Sequence, residues 1–250
     1  MVKIFYNTKI TLFVKKLIPP QFRLRLRVLF TFVKDVLSTH YFSFAKRNAK
    51  HISLPRQLSM SQPIRKNDFS ENKKHNLRLA IQQIENIEIL PQQIFSYWHL
   101  IPSPTPQNGF KKGRNLVGNK LDLDFGGGLC QLSGIMYYLV LEAGLDILER
   151  HAHSLDIYTE ASRYTPIGSD ATVVFGHKDL RFLNSFDFPI SFQFEVLEEE
   201  ILIYLCARQS IEKCDLEFLI EKKENGKQVK VTRQRNGKKE ICSQDFYKNL

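Results

Sequence analysis

Apolar residues along the chain change period at one glycine. Before Gly144 they step by three and four. Leu132, Ile135, Met136, Leu139, Val140 and Ala143 mark one face of a helix. Gly144 stops it as a C′ residue should, which predicts a buried helix over 129–143. Leu77, Leu79, Ala80, Ile81 and Ile84 predict another helix over 73–87. Leu26, Leu29, Phe30, Val33 and Leu37 predict a third over 21–37, opened by Pro19 and Pro20. After Gly144 the text becomes strand-like. "DILERHAHSLDIY", "DATVVFG", "KDLRFLN", "PISFQFEVL" and "EEILIYLCA" each read as a strand. Upstream, "EILPQQIFSYWHL" reads as a turn at Pro91 and a strand over 95–100.

Polar stretches divide these elements. Residues 51–72 carry Pro, Ser, Asn and Gln without period and read as an irregular connector. "IPSPTPQNGFKKG" has three prolines and reads as a loop. Asn225-Gly226 and Asn236-Gly237 are hairpin-turn signals. The tail is therefore a polar β-meander, or an extension held loosely, since "GKQVKVTRQRNGKKE" has little to bury. The predicted fold class is α+β: N-terminal basic helices, a buried helix that starts at a cysteine motif, and a mainly antiparallel β-sheet. The expected divisions are a basic helical region at 1–50, a connector at 51–72, a main domain at 73–207 and a polar β-hairpin tail at 208–250.

Charge sharpens this division. Residues 1–50 hold 11 Lys and Arg and a single acid, Asp35, which accounts for the whole net charge of +10. The rest of the chain is balanced. A basic, Leu- and Phe-bearing helix reads either as an ordinary amphipathic helix or as one that lies on an anionic membrane surface. Nucleic acid is the weaker partner class, because no recognised binding motif accompanies the bases. No stretch reaches the roughly 18 apolar residues of a membrane span. No secretory signal with a small-residue cleavage site is evident either. The expected address is cytoplasmic, peripheral at the inner face of the membrane.

The candidate chemistry sits in "DFGGGLCQLSG". Gly126, Gly127 and Gly128 precede Cys130, which falls in the first turn of the buried helix. A helix start stabilises a thiolate and can bring a cysteine pKa from about 8.5 down to between about 3.5 and 7.5. Glycines there admit a substrate and let backbone N–H groups face an oxyanion. The competing reading is a tight turn and a small core thiol. A nucleophile of this kind needs a base. "RHAHS" offers His151 and His153, which would share one face of a strand. Asp170, opening "DATVVFG", could orient the imidazole. A metal would need further ligands at a recognisable spacing, and none is seen. Neither metal nor other cofactor is expected. The cysteines Cys130, Cys206, Cys214 and Cys242 form no CxxC pair, so free thiols are expected.

Five segments in order, "FSYWH", "GGGLCQLSGIMYY", "LEAGLDILERHAHS", "GSDATVVFGHKDLRFLN" and "FPISFQF", resemble the VanW family over about residues 72 to 205. The family is named from an accessory protein of type-B vancomycin resistance. Some of its members look like cysteine-dependent L,D-transpeptidases that cross-link peptidoglycan stem peptides through a thioester. The resemblance implies Cys130 as nucleophile, with His153, the histidine just before Ser154, as base and His151 as the second candidate. Asp170 matches the family's "DAT" aspartate. Gln131 and Ser133 match the cysteine motif, and with Ser154 and the three glycines they are the expected substrate-binding positions. Trp98 stands where the family more often has asparagine. The implied partner is a peptidoglycan stem peptide or precursor. The alternative is a non-catalytic accessory protein that docks on the membrane and recognises a cell-wall precursor.

Overall fold

The computed structural model describes residues 19–47, 53–85, 87–117, 120–156, 163–235 and 237–249. The chain forms two compact units, divided between Phe42 and Ser43. In the first, helix α1 (Pro20–Leu37) starts behind Pro19, whose φ of −55° suits a helix entry. It exposes Phe22, Leu26, Leu29, Phe30, Val33 and Leu37 beside Arg25 and Arg27. Residues 1–18 and 48–50 of the basic head lie outside the described residues.

The second unit is built on helices α2 (Ser70–Ile84) and α3 (Leu129–Glu142) and on antiparallel strand ladders. Helix α3 is apolar all round, and Leu132, Ile135, Met136, Tyr137, Leu139, Val140 and Leu141 are fully buried. That pattern marks a central helix rather than a surface one. Gly144 follows it at φ 78°, the left-handed C′ conformation that glycine adopts without strain. Helix α2 lays Leu77, Ala80, Ile81 and Ile84 into the same core.

Strands β1 (Arg56–Pro63), β7 (Ile190–Val196) and β8 (Glu200–Ala207) form one sheet in the order β1-β8-β7. Strands β2 (Ile94–Ser96), β5 (Asp146–Glu149) and β6 (Arg181–Leu183) form a second, in the order β2-β6-β5. Strands β3 (Lys112–Val117) and β4 (Lys120–Phe125) make a hairpin. The tail is a three-stranded meander of β9 (Asp215–Lys223), β10 (Gly226–Arg235) and β11 (Lys238–Lys248). The α+β class therefore holds, with every named strand pair antiparallel.

Four local expectations change and a fifth, on the tail, is resolved. The connector carries β1, an edge strand that pairs only with β8; its outer face stays wet, so its sequence is polar, and Pro63 is tolerated at its end. Residues 97–100 leave the strand for one helical turn, because the Ser96 hydroxyl caps it by accepting the His99 N–H at 3.2 Å. Strand β5 ends at Glu149, so His151 and His153 do not share a strand face. Segment 170–176 forms a single bridge, Val174 to Lys178, instead of a ladder. The meander is docked rather than loose: Val229 and Val231 are fully buried and Tyr247 is 2% exposed. Tyr158 at the end of the first predicted strand, and Asn236 of the second Asn-Gly pair, lie outside the described residues.

Candidate active site

The glycine run is shaped by close packing. A Cβ on Gly127 would sit 2.7 Å from the Gly113 Cα, so two backbones cross where only glycine fits. Asn76, fully buried on α2, fixes that crossing. Its amide donates to the carbonyls of Lys111 (2.9 Å) and Gly127 (3.1 Å), and its oxygen accepts the Lys111 N–H at 2.8 Å. Gly128 is the N-cap of α3 at φ 102°. Cys130 follows two residues later, half-buried, in the first turn.

Two further segments converge on its sulfur. Segment 170–173 lies across the helix start, held by the Ser133 hydroxyl, which donates to the Ala171 carbonyl at 2.7 Å. This brings the Thr172 hydroxyl and the Val173 carbonyl each to 3.6 Å from Cys130 Sγ. The loop after β5 is tied to the same segment, since Thr172 N–H donates to the His151 carbonyl at 2.8 Å. It presents His153, whose ring lines the same pocket as Cys130 and interacts electrostatically with its sulfur. The ring's Nδ1 lies 2.6 Å from Asp170 Oδ2, and the same oxygen accepts the His153 backbone N–H at 2.7 Å.

Asp170 is itself held from behind. Its Oδ1 accepts Arg150 Nη2 at 3.1 Å and the Tyr247 hydroxyl at 2.5 Å. Arg150, 4% exposed, also donates to the Gly168 carbonyl at 3.0 Å, pairs with Asp245, and lies over the Tyr137 ring at 4.8 Å. Tyr247 and Asp245 come from β11. The end of that strand is stitched to the histidine loop by Lys248 N–H to the Ser154 carbonyl, 3.0 Å, and Asp156 N–H to the Lys248 carbonyl, 3.2 Å.

The electrostatics follow. Burial alone would push the Cys130 thiol up, but the His153 ring reverses this and holds it below the ordinary thiol value. Burial disfavours the imidazolium, yet the Asp170 carboxylate and the Cys130 sulfur raise His153 to about 9. Burial is likewise overcome at Asp170, which His153 and Arg150 hold well below the usual carboxylate range. All three shifts run toward a thiolate beside an imidazolium, with a carboxylate behind it.

A pocket of about 160 Å³ opens here. Its described lining includes Cys130, Gln131, His153, Asp170 and Tyr247. Of the other sequence candidates, Ser133 is buried beneath the crossing segment, and Ser154 is half-buried in the loop stitched to β11. Gly126, Gly127 and Gly128 form the turn behind the helix start. His151 turns to Glu149 (2.9 Å) and is not part of the cluster. Trp98 donates from its ring nitrogen to the Lys178 carbonyl at 2.7 Å. Among the described residues no group of three or more His, Cys, Asp or Glu could hold a metal ion, and no helix is long and apolar enough to cross a membrane. Arg150, Thr172, Asp245 and Tyr247 went unread in the sequence. Arg150 and Thr172 had a signal, in the "ERHAHS" and "DAT" segments they share with His153 and Asp170.

Comparison with known proteins agrees on the region. The uncharacterized protein YoaR of Bacillus subtilis is 34% identical over 124 residues, 50% of this chain and 39% of its own length. The vancomycin B-type resistance protein VanW of Enterococcus faecalis is 30% identical over 134 residues, 54% of this chain and 49% of its own. The matches thus span less than half of either relative. No solved structure matches. The family described as VanW like protein matches residues 72–206, more than half of the chain, and the chain belongs to that family.

Proposed function

We propose that the chain is a cysteine-dependent acyl transferase of the cell envelope, with Cys130 as nucleophile, His153 as acid and base, and Asp170 as orienter. The observation that carries the reading is the convergence of Asp170, His153 and Cys130 on one pocket, with His153 Nδ1 2.6 Å from Asp170, the thiol lowered and the imidazole raised. Such a cluster is the arrangement that activates a thiol nucleophile. The thiolate attacks the carbonyl carbon of an amide or ester. A C–S bond forms and the carbonyl electrons move to oxygen. Leu129 N–H and Gln131 N–H are engaged within the turn, with the Gly126 and Gly128 carbonyls at 3.2 and 3.0 Å. The oxyanion therefore falls to the Cys130 N–H. As the oxyanion collapses, the C–N or C–O bond breaks and His153 protonates the leaving group. An acceptor amine then attacks the thioester, gives its proton back to His153, and releases the sulfur.

The relative from E. faecalis bears the name of a vancomycin resistance protein. We extend that association to this chain, with a peptidoglycan stem peptide or its precursor as substrate and L,D-transpeptidase-like transfer as the reaction. The decisive experiment is intact-mass spectrometry after incubation with synthetic stem peptides. An acyl adduct on Cys130, absent from Cys130→Ala, is expected. If iodoacetamide labels Cys130 while no stem peptide acylates it, the transfer reading is lost.

The accessory reading keeps one observation of its own. Helix α1 exposes Phe22, Leu26, Leu29, Phe30 and Val33 among Arg25, Arg27 and Lys34, a pattern suited to anionic lipid. We assign it to the inner membrane surface, with the protein at the cytoplasmic face. Sedimentation with phosphatidylglycerol vesicles should fall sharply on deletion of residues 1–42 and with added salt; binding indifferent to both would remove this reading.

A further inference from the structure

Among the described residues, the pocket beside Cys130 is lined by the cations Arg65, Lys73 and Arg163 and by two acids. Its two described acids are engaged. Asp170 is held by Arg150, His153 and Tyr247. Asp156 is held by Arg163 at 2.5 Å and Lys227 at 2.9 Å. Lys73 lines the same pocket, and its ammonium has no acid or hydrogen-bond partner among the described residues. Its neighbour on α2 shows the contrast: Lys74 Nζ lies 2.6 Å from Glu71 and 2.7 Å from Glu198.

Lys73 also packs on the start of the helix that carries Cys130. Its stem crosses the helix start, with Cγ 2.9 Å from where a Gly128 Cβ would stand. Arg65 lines the pocket too, braced on Tyr164 by a 3.3 Å hydrogen bond and by its guanidinium 5.4 Å from the ring centroid. Burial, and then Arg65, pull the Lys73 ammonium down to about 8. A cation held so, close to a second cation, gains most from a bound anion. Gln131, next to Cys130 in the chain, lines the same pocket. Its amide nitrogen donates to the Pro63 carbonyl at 3.0 Å, while its buried oxygen has no donor among the described residues.

We propose that Lys73 and Arg65 form a carboxylate subsite, and that the group attacked by Cys130 belongs to a peptide or amide bearing a free carboxylate a short distance away. Gln131 accepts an N–H of the same substrate, which fixes the chain between the anion site and the sulfur. The proposal rests on the acyl-transfer reading of Cys130, and its test separates the two.

Alkylation of Cys130 in the full chain by iodoacetate is compared with alkylation by iodoacetamide, which differs by one negative charge. The neutral reagent reports thiolate reactivity, and the ratio of the two rates reports the subsite. Lys73→Gln should lower that ratio about tenfold, as expected for loss of a charge-assisted bond, and Lys73→Arg should preserve it. An unchanged ratio in Lys73→Gln overturns the subsite and leaves the nucleophile intact. A Cys130 inert to iodoacetamide overturns the nucleophile instead. In that event the subsite is decided on Cys130→Ala protein by calorimetric titration with N-acetyl-dialanine and with its C-terminal amide. A clear preference for the acid that disappears in Cys130→Ala/Lys73→Gln supports it. Absence of preference, through equal binding or through none, overturns it.

Discussion

Cys130 and Cys206 are two thiols of one unit with opposite chemistry. Cys206 lies on β8, fully buried, with its sulfur 3.8 Å from the Tyr204 carbonyl. Burial raises it to about 11, and the nearby Arg56 guanidinium does not undo this. Cys130 also meets a burial penalty, yet its thiol falls below the ordinary value, because the His153 ring beside it favours the thiolate and Asp170 keeps that imidazole charged. A positive charge nearby is thus not sufficient. The cation must outweigh the burial penalty, and something behind must hold its proton. Cys214 and Cys242, raised by burial, fall on the Cys206 side of this contrast.

The largest expected effect tests the contrast directly. At pH 6 iodoacetamide should modify Cys130 and spare the other three cysteines, and Cys130→Ala should abolish labelling. Peptide mapping by mass spectrometry reads the result. The sign follows from the direction of the shift. A thiol lowered from its ordinary pKa keeps a larger thiolate fraction at a given pH than raised thiols do, and the raised ones lose about tenfold in thiolate per unit as pH falls. Uniform labelling of all four would erase the distinction.

His153→Asn comes next. It removes the neighbouring cation and leaves the burial penalty opposed only by the Thr172 and Val173 contacts, so Cys130 should move toward Cys206. Acyl transfer should drop by about 10²- to 10⁴-fold, the usual worth of a general acid–base group. The pH at half-maximal alkylation should move up. A profile that stays in place would mean that the helix start, not His153, sets the thiol.

Asp170→Asn acts one step further back. It leaves the buried Arg150 with Asp245 as its remaining carboxylate and deprives His153 of the group that holds its proton. The Asp170 side chain is 28% exposed, so the cost is set below the full penalty for breaking a buried pair, at about 2 kcal/mol. Thermal unfolding measures it. A depressed carboxylate contributes stability above its ordinary pKa of 3.8 and loses it as pH falls below that value. Below that range the wild type should therefore converge on Asp170→Asn, and a gap that persists in acid would assign the loss to something other than this charge.

How much of the site could be read from the sequence depends on where each residue's partners lie. Helix α3 and its Gly144 stop were legible because the signal is local: an apolar face of 3.6 period and a glycine at positive φ. Cys130 was legible with them. The histidine loop was misread as strand because "DILERHAHSLDIY" has the right composition, while its backbone groups pair irregularly, with Asp170 and Thr172. Segment 170–176 was misread for the same reason: it packs on the helix start through Ser133. Strand β1 was hidden by its wet outer face. Tyr247 had no local signal at all. It sits in a run of polar residues, and it matters through Asp170, 77 positions away.

Tyr247 also sets the smallest and sharpest test of the Cys130–Cys206 contrast. It lies beyond the family match, which ends at residue 206, yet it donates to the same carboxylate that holds His153. If that carboxylate is what keeps the imidazole charged, removing a competing donor should strengthen its hold on His153 rather than weaken it. Tyr247→Phe should then cost about 1 kcal/mol of stability through the lost hydrogen bond. It should leave the alkylation profile of Cys130 in place or shift it slightly toward lower pH. Chemical denaturation and the alkylation profile read the two effects on one sample. A shift toward higher pH would show that the hydroxyl positions Asp170 for His153, and that the meander contributes to activating the sulfur as well as covering the core.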